Sequence, residues 1–580
     1  MSSKLKKILV VFLAGAFILF LFYPSRVKRY IKRQVRAYTT APNGVMNGIA
    51  FRKIKLSKKV QGQYTSLVIG PDNKLYAGAI DGKIKRFLIR PNGDLSLEHI
   101  FKPFGDKSKL TIGLAFDPAS QADSLIVWTT YSETKSSWTD FDDTKEQVDK
   151  SEWAGSMARL YLDNSTSQIL RNEQILKGLP CFGPNHENFP NSIVFGPDRK
   201  LYFSQGANTG MGWCDCEENQ EPSREALLSG AILCLDPGKL PSNLPIDVTT
   251  YDGGGSYNPY DIDVPLSIYA TGIRNAYDMV WHSNGQLYAT VNSSGGNENT
   301  PTSNPQSPYY IKPNPNINYS GPNDIPAVFG AQPDQDDFMV RVEKGGYYGH
   351  PNPLRAEYVL NNGDVDLDNF EYDGVEPDAN FRGFTYDFGP HMAPTGMVEY
   401  DSETFNGKLK GCLIVVLMGH EDLVILRPGG EKKEIIQDYD GTKMGLTLDS
   451  SPLDVVEDKN TGNIYVSEFG KRTITLFHPI ENGVRKAVLV YDENTSNRIK
   501  DPLEKGKMIY QHNCQMCHGV KGEGAMAPSL VDKEWIYGID SIFSVIQNGS
   551  DRGSMPAWKD KFSKKEIESV ESYILSLVKK

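Results

Sequence analysis

The sequence predicts a mainly β chain: a six-bladed β-propeller, with a short apolar helix ahead of it and a small all-α domain behind it. Three observations carry this reading. One hairpin pattern returns six times between residues 50 and 480, the first forty residues hold a single unbroken apolar run, and the last eighty turn to helical periodicity. The 53 Gly and 35 Pro in 580 residues supply many turns without low complexity, which suits a large β-rich protein.

The apolar run is ILVVFLAGAFILFLFY, residues 8–23, preceded by Lys4, Lys6 and Lys7. It is long for the apolar core of a secretion signal and short for a membrane span. Its small residues AGA lie inside the run rather than after it. Residues 1–40 are therefore expected to be an uncleaved N-terminal membrane anchor with a basic flank. These forty residues hold nine Lys/Arg and no acid, so a formal charge of −10 leaves −19 on the remainder. So acidic a body excludes nucleic acid, which needs a basic face.

The six repeats read apolar, x, apolar, then a Pro/Asp/Asn/Gly turn, then an apolar–aromatic pair. They are SLVIGPDNKLYAG (66–78), GLAFDPASQADSLIVWTT (113–130), SIVFGPDRKLYFSQG (192–206), DMVWHSNGQLYATVN (278–292), GMVEYDSETFNGKLKGCLIVVL (396–417) and DVVEDKNTGNIYVSEFG (454–470). Each predicts two short strands and a turn, in strands rich in Val, Ile, Tyr and Phe. Six such hairpins spread over residues 41–485 predict six blades. The stretches 206–228 and 293–340 between them are expected to be loops on one face, where function concentrates.

A linker is expected at 486–497 and a separate domain at 498–580. In that domain CQMCH places Cys514 and Cys517 three residues apart with His518 adjacent. This is the spacing for one covalent haem c: two thiols add to two vinyl groups, and the imidazole reaches the iron. An electron carrier needs a sixth ligand. Met555 in GSMPAW follows His518 by 37 residues, room for a helix and a return loop. Met508, Met526 and Met516 compete, the last held between the cysteines. Ser563 and Glu566 predict a capping box, with Phe562 and Ile567 as a hydrophobic staple. Ile567, Val570, Ile574 and Leu577 then mark one helix face, and DSIFSVIQNG predicts a shorter helix ended by Asn548-Gly549.

Through CQMCHG, APSL and GSMPAW, residues 498–580 resemble a class I c-type cytochrome domain. Haem c is attached outside the cytoplasm, so the resemblance implies an extracytoplasmic body. The basic stretch SRVKRYIKRQVR after the apolar run would alone favour the opposite orientation, and the haem motif overrides it. In an oxidising compartment, four of Cys181, Cys214, Cys216, Cys234 and Cys412 could form two disulfides, and the sequence leaves the pairing open.

Three segments of the large unit resemble the glucose/sorbosone dehydrogenase family of quinoprotein six-bladed propellers: NHENFPNSIVFGPDRKLYFSQG (185–206), TGIRNAYDMVWHSNGQLYATVN (271–292) and RVEKGGYYGHP (341–351). The resemblance implies His186 as catalytic base and Arg274 and Asn275 as contacts to pyrroloquinoline quinone (PQQ). It also implies a Ca²⁺ ion on main-chain carbonyls of the following loop, with Ser294, Gly295 and Gly296 nearest. The chemistry is coherent. An Arg pairs with a carboxylate of the quinone, Ca²⁺ polarises its carbonyl, and a neutral His takes a hydroxyl proton as hydride leaves. The chain departs from the family in GLTLDSSPLDVV (445–456), which holds no Arg, and in LMGHEDL, with His420 where a Lys is expected. His391 and His420 are second-rank pocket residues, and His282 and His350 read as structural.

The expected function is a membrane-anchored dehydrogenase with its quinone at the propeller's central opening. It oxidises a sugar or related alcohol and passes electrons through haem c to a respiratory acceptor such as a cytochrome or quinone-linked complex. The alternative is a non-catalytic carbohydrate- or protein-binding propeller tethered to a haem carrier.

Overall fold

The computed structural model describes residues 44–56, 60–105, 107, 109–132, 153–181, 189–214, 223–294, 298–331, 335–358, 378–430, 434–480, 501–514, 518, 522, 529–531, 542–549, 557–559 and 562–578. The chain divides into two compact units between Gly483 and Val484. The N-terminal apolar run lies outside the described residues, and among those residues no helix is long and apolar enough to cross a membrane.

The first unit is a six-bladed propeller. The innermost two strands are Tyr64–Ile69 and Leu75–Ala79 in blade 1, Leu110–Phe116 and Ser124–Ser132 in blade 2, and Pro190–Phe195 and Leu201–Gln205 in blade 3. They are Met279–Trp281 and Leu287–Val291 in blade 4, Pro394–Tyr400 and Cys412–Leu417 in blade 5, and Pro452–Asp458 and Asn463–Glu468 in blade 6. These are the six hairpins of the sequence, each extended outward into a sheet of four or five strands. The ring closes because Phe51–Lys55 adds to blade 6 as its outermost strand, antiparallel to Thr473–Pro479. That covers an edge which would otherwise stay unpaired.

The recurrent turn has a local cause. In GPDNKLY, Asp72 Oδ1 accepts from the Lys74 amide and its Oδ2 from the Tyr76 hydroxyl at 3.0 Å. GPDRKLY repeats this with Asp198, Lys200 and Tyr202, and in SNGQLY Asn284 binds the Gln286 amide and the Tyr288 hydroxyl. An Asx turn that also holds the next strand's buried Tyr fixes the hairpin register.

Side chains stitch each blade to the next. Thr65 Oγ1 donates to Thr111 O at 2.8 Å, Thr130 Oγ1 to Asn191 O at 2.8 Å, and Asn191 Nδ2 to Asn275 Oδ1 at 2.8 Å. Thr290 Oγ1 donates to Thr395 O at 2.9 Å and Thr395 Oγ1 to Pro452 O at 3.4 Å, while Asp454 accepts from the Leu67 amide. Asp278, also buried, accepts from the Met397 amide of blade 5 at 2.8 Å. Between these two carboxylates lies Gly396, where a Cβ would strike Asp454. Burial pushes the Asp278 carboxyl up to about 6. Burial, and then the neighbouring Asp278, push Asp454 up further.

The axis itself is floored by apolar side chains. Ile80, Leu110, Phe189, Leu453 and Phe469 pack into one cluster with Tyr277 and Met418, drawn from all six blades. The Tyr277 hydroxyl reaches across from blade 4 to Thr65 O of blade 1 at 2.7 Å. The expected central opening is therefore a shallow floor at this level.

Two further expectations change. The stretches 206–228 and 293–340 are more than loops: Trp213–Cys214, Ser223–Arg224, Glu298–Thr300 and Val328–Ala331 form a seventh, accessory sheet. Cys181, Cys234 and Cys412 are buried thiols outside any disulfide, which leaves at most one pair among the five cysteines. The reason is placement. These three sit in separate apolar clusters, Cys181 at the hub, Cys234 between blades 3 and 4 and Cys412 between blades 5 and 6.

In the second unit, α1 (Pro502–Asn513), α2 (Ile542–Asn548) and α3 (Lys564–Val578) share one core of Ile509, Tyr510, Ile542, Ile546, Trp558, Phe562, Ile567, Val570 and Ile574. Asp501 caps α1, accepting from the Leu503 amide, with Pro502 as first helical residue. The Glu566 carboxylate accepts from both the Ser563 amide and its hydroxyl at the start of α3. α1 crosses α3 at Gly506, where a Cβ would collide with the Ser569 carbonyl.

Candidate functional site

The rim around the hub is built up on one side only. In blades 2, 3 and 4 the second and third strands are separated by residues 133–154, 206–230 and 292–335, whereas in blades 1, 5 and 6 only 80–83, 418–421 and 469–472 intervene. Arg274 and Asn275 stand on the built side, just before the first strand of blade 4. Arg274 Nη1 donates to Asn292 O at 3.2 Å and Ser293 O at 3.0 Å, and its carbonyl accepts from the Ala207 amide at 2.7 Å. Asn275 accepts from Asn191 and pairs with Asn292 as an isolated bridge. These bonds tie the 292–294 loop to blade 4 and leave a guanidinium at the rim.

Ser294 is buried. Its carbonyl accepts from the Gln335 amide at 3.0 Å and its amide donates to Gln335 Oε1 at 3.3 Å. Asp337 anchors the same corner, accepting from the Ser293 and Ala393 amides at 2.8 Å each. Burial raises its carboxyl, opposed by those two bonds and by the charges of Arg274 and His391. His391 and His420 are exposed on the connections before blade 5 and between its second and third strands. His282 is structural as expected: Nδ1 accepts from the Asn284 amide, leaving Nε2 to donate to Gly411 O at 3.0 Å. His186, Gly295 and Gly296 lie outside the described residues.

A polar network missed by the sequence reading is buried beside Arg274. Glu225, fully buried, accepts from the Asn208 and Thr209 amides at 2.9 Å each, the Thr209 and Ser229 hydroxyls, and His350 Nε2 at 3.0 Å. Arg355 grips Glu357 and donates to the carbonyls of Leu227 and Ser229. Burial pushes the Glu225 carboxyl up, but the bonds from His350, Ser229 and Thr209 outweigh it and bring it to about 2. Its partners come from 208–230 and 350–357, segments with no common motif, so no local signal could have found it.

Near this network two sealed oxygens, Asn208 Oδ1 and Gln205 Oε1, have no hydrogen-bond partner among the described residues. Acceptor oxygens without donors suit a hard cation or ligand hydroxyls, and the Arg274 guanidinium suits a carboxylate. The residues present thus fit a calcium-bound, carboxylate-bearing quinone on this side of the rim. Among the described residues no three His, Cys, Asp or Glu side chains cluster as a metal site.

In the second unit the haem motif begins at Cys514, the residue that caps the end of α1. The Cys514 amide donates to Tyr510 O at 2.8 Å and the His518 amide to Cys514 O at 3.0 Å. That helical turn puts Cys514 and His518 on one face, with Cys514 packed against the Ile509–Tyr510 core. The donor set fits covalent haem. Cys517 and Met555 lie outside the described residues.

Residues 501–574 match the family model of cytochrome c oxidase, cbb3-type, subunit III. The chain is 37% identical over 83 residues to the cbb3-type cytochrome c oxidase subunit CcoP of Azospirillum brasilense, covering 13% of this chain and 28% of that protein. It spans about a quarter of the length of such curated relatives. Solved structures similar to the chain include the PQQ-bound aldose sugar dehydrogenase of Streptomyces coelicolor, 16% identical, TM-score 0.43, covering 76% of this chain and 100% of that one. They also include the holo PQQ domain of pyranose dehydrogenase from Coprinopsis cinerea, 12% identical, TM-score 0.46, covering 75% and 96%. The sequence similarity to c-type cytochromes thus falls on the unit that carries Cys514, Cys517 and His518.

Proposed function

We propose that the chain is an extracytoplasmic quinohaemoprotein dehydrogenase, anchored by its N-terminal segment. It oxidises a sugar or related alcohol at PQQ and passes electrons through one haem c to a respiratory acceptor. The observation that carries this is the tie between Arg274 and the segment after blade 3's second strand, through its carbonyl and the Ala207 amide, next in sequence to the donor-less buried oxygens of Gln205 and Asn208, in the same polypeptide as the Cys514–His518 haem motif. When bound, the quinone accepts two electrons as hydride from the substrate carbon. The chain's own residues do the rest. Arg274 would hold a quinone carboxylate, Asn275 fixes the strand that presents it, and the oxygens of Asn208 and Gln205 would hold the calcium, with Ser294, Gly295 and Gly296 the main-chain ligands that the resemblance implies. A histidine takes the hydroxyl proton; the family resemblance gives His186. Cys514 and Cys517 would hold the haem, His518 and Met555 would ligate its iron, and one polypeptide keeps the two centres at high effective concentration.

The second reading, a binding propeller tethered to a carrier, is favoured by one observation: Arg274 and Asn275 already make structural bonds. Equilibrium dialysis of PQQ with and without Ca²⁺, then an aldose panel with a dye acceptor, separates the two. Calcium-dependent PQQ binding and dye reduction support the enzyme. No quinone binding leaves only the carrier.

A further inference from the structure

The Glu225–His350 pair is a buried acid–base couple in the corner of the rim that holds Arg274. His350 is 7% exposed and enters from a strap that runs back over blade 3. The Tyr348 amide donates to Thr271 O and the His350 amide to Gly272 O at 2.9 Å, two residues before Arg274. The ring lies against Gly230, whose neighbour on the same side is Ala207, and the Ala207 amide binds Arg274 O. The dyad, Arg274 and Asn208 therefore belong to one corner of the rim.

The orientation of the imidazole is fixed. Glu225 accepts four hydrogen bonds from N–H and O–H donors besides the one it shares with His350, so its carboxylate is the acceptor and His350 Nε2 carries the proton it donates. The lone pair is then on Nδ1. Nδ1 makes no hydrogen bond among the described residues, is not one of the sealed unpartnered atoms, and the side chain keeps 4% of its surface open. The charges that face the ring are Glu225, Arg274 and Arg355. Burial lowers its pKa, Glu225 opposes that, and the two arginines add to it, so the ring is neutral near neutral pH. A buried carboxylate that orients an imidazole with one free nitrogen is the arrangement of a general base.

We propose that His350 is the proton acceptor for the substrate hydroxyl and that Glu225 is its positioning residue. This rests on the quinone-dependent reading above and replaces His186 in the proton-transfer role. The hydroxyl O–H bond breaks with its proton going to His350 Nδ1. The carbon-bound hydrogen leaves with both electrons to the ortho-quinone, and the C–O bond becomes a carbonyl. Substrate is oxidised, quinone is reduced by two electrons, and Glu225 stabilises the imidazolium.

The test uses the full-length chain and two readouts. In the quinone-free protein, diethyl pyrocarbonate followed by peptide mass mapping reads whether His350 is reachable, and PQQ with Ca²⁺ should protect it. In the reconstituted protein, His350→Gln should lower kcat by about a hundredfold with KM within about threefold. Glu225→Gln should move the acid limb of the kcat/KM profile to lower pH, because the imidazolium loses its carboxylate, an effect that a structural role would not produce. Thermal melts confirm folding of each variant. An unreactive His350, or a His350→Gln enzyme with wild-type kcat, overturns the proposal. Failure of the quinone reading is seen separately, as wild-type protein that binds no PQQ, and it too overturns the assignment.

Discussion

The two halves of the propeller rim are built from the same hairpin and differ in what is inserted above it. Blades 1, 5 and 6 turn from second to third strand in a few residues and present the exposed His420 beside short turns. Blades 3 and 4 carry the accessory sheet, the strap through His350 and the buried network of Glu225, Arg355 and Glu357. The difference teaches that the site is one-sided. Among the described residues the buried polar network of Glu225, His350 and Arg355 draws on the built half and on nothing from 445–456, while every blade contributes to the apolar floor.

This asymmetry can be broken most severely at Arg355. Arg355→Ala leaves Glu357 buried without its cation and strips the donor from the Leu227 and Ser229 carbonyls. A loss of about 3–5 kcal/mol is expected, read as a fall in the first unit's melting temperature. Arg274→Ala should weaken PQQ by about 1.5–3 kcal/mol, the range for hydrogen bonds to charged groups, measured by equilibrium dialysis. A Kd unchanged in that variant would transfer the anion-binding role away from blade 4.

Legibility in the sequence follows the same divide. The six hairpins could be read because Asp72, Asp198 and Asn284 bond to residues two and four positions away, so cause and pattern share one short window. The haem turn was legible for the same reason. The Glu225–His350 bond spans 125 positions, and His350 therefore read as structural. The cysteines misled because counting thiols cannot reveal that Cys181, Cys234 and Cys412 occupy different clusters.

Smaller effects sharpen the comparison. Gly506→Ala, in the helical unit and far from either half of the rim in sequence, should cost about 1–3 kcal/mol by overpacking the α1–α3 crossing. The haem unit's melting would fall while PQQ binding stays unchanged. The hub acids give a pH signature. The folded-state pKa of Asp278 is raised, so its contribution to stability is fully present below its unfolded value near 3.8 and is lost as pH rises through about 6. The wild-type melting temperature should therefore lose stability between those limits, and Asp278→Asn should flatten that slope. At the bare half, His420→Ala should shift stability by less than about 0.5 kcal/mol and leave PQQ affinity where it was.

The most direct measurement is anaerobic stopped-flow spectroscopy of the full-length protein, reconstituted with PQQ and Ca²⁺ and mixed with an aldose in the absence of any external acceptor. A quinone on the built rim that feeds haem c predicts the reduced-haem spectrum within a turnover, and its loss in Arg274→Ala. Haem that stays oxidised with every sugar, in protein shown to carry both quinone and covalent haem, would contradict the account.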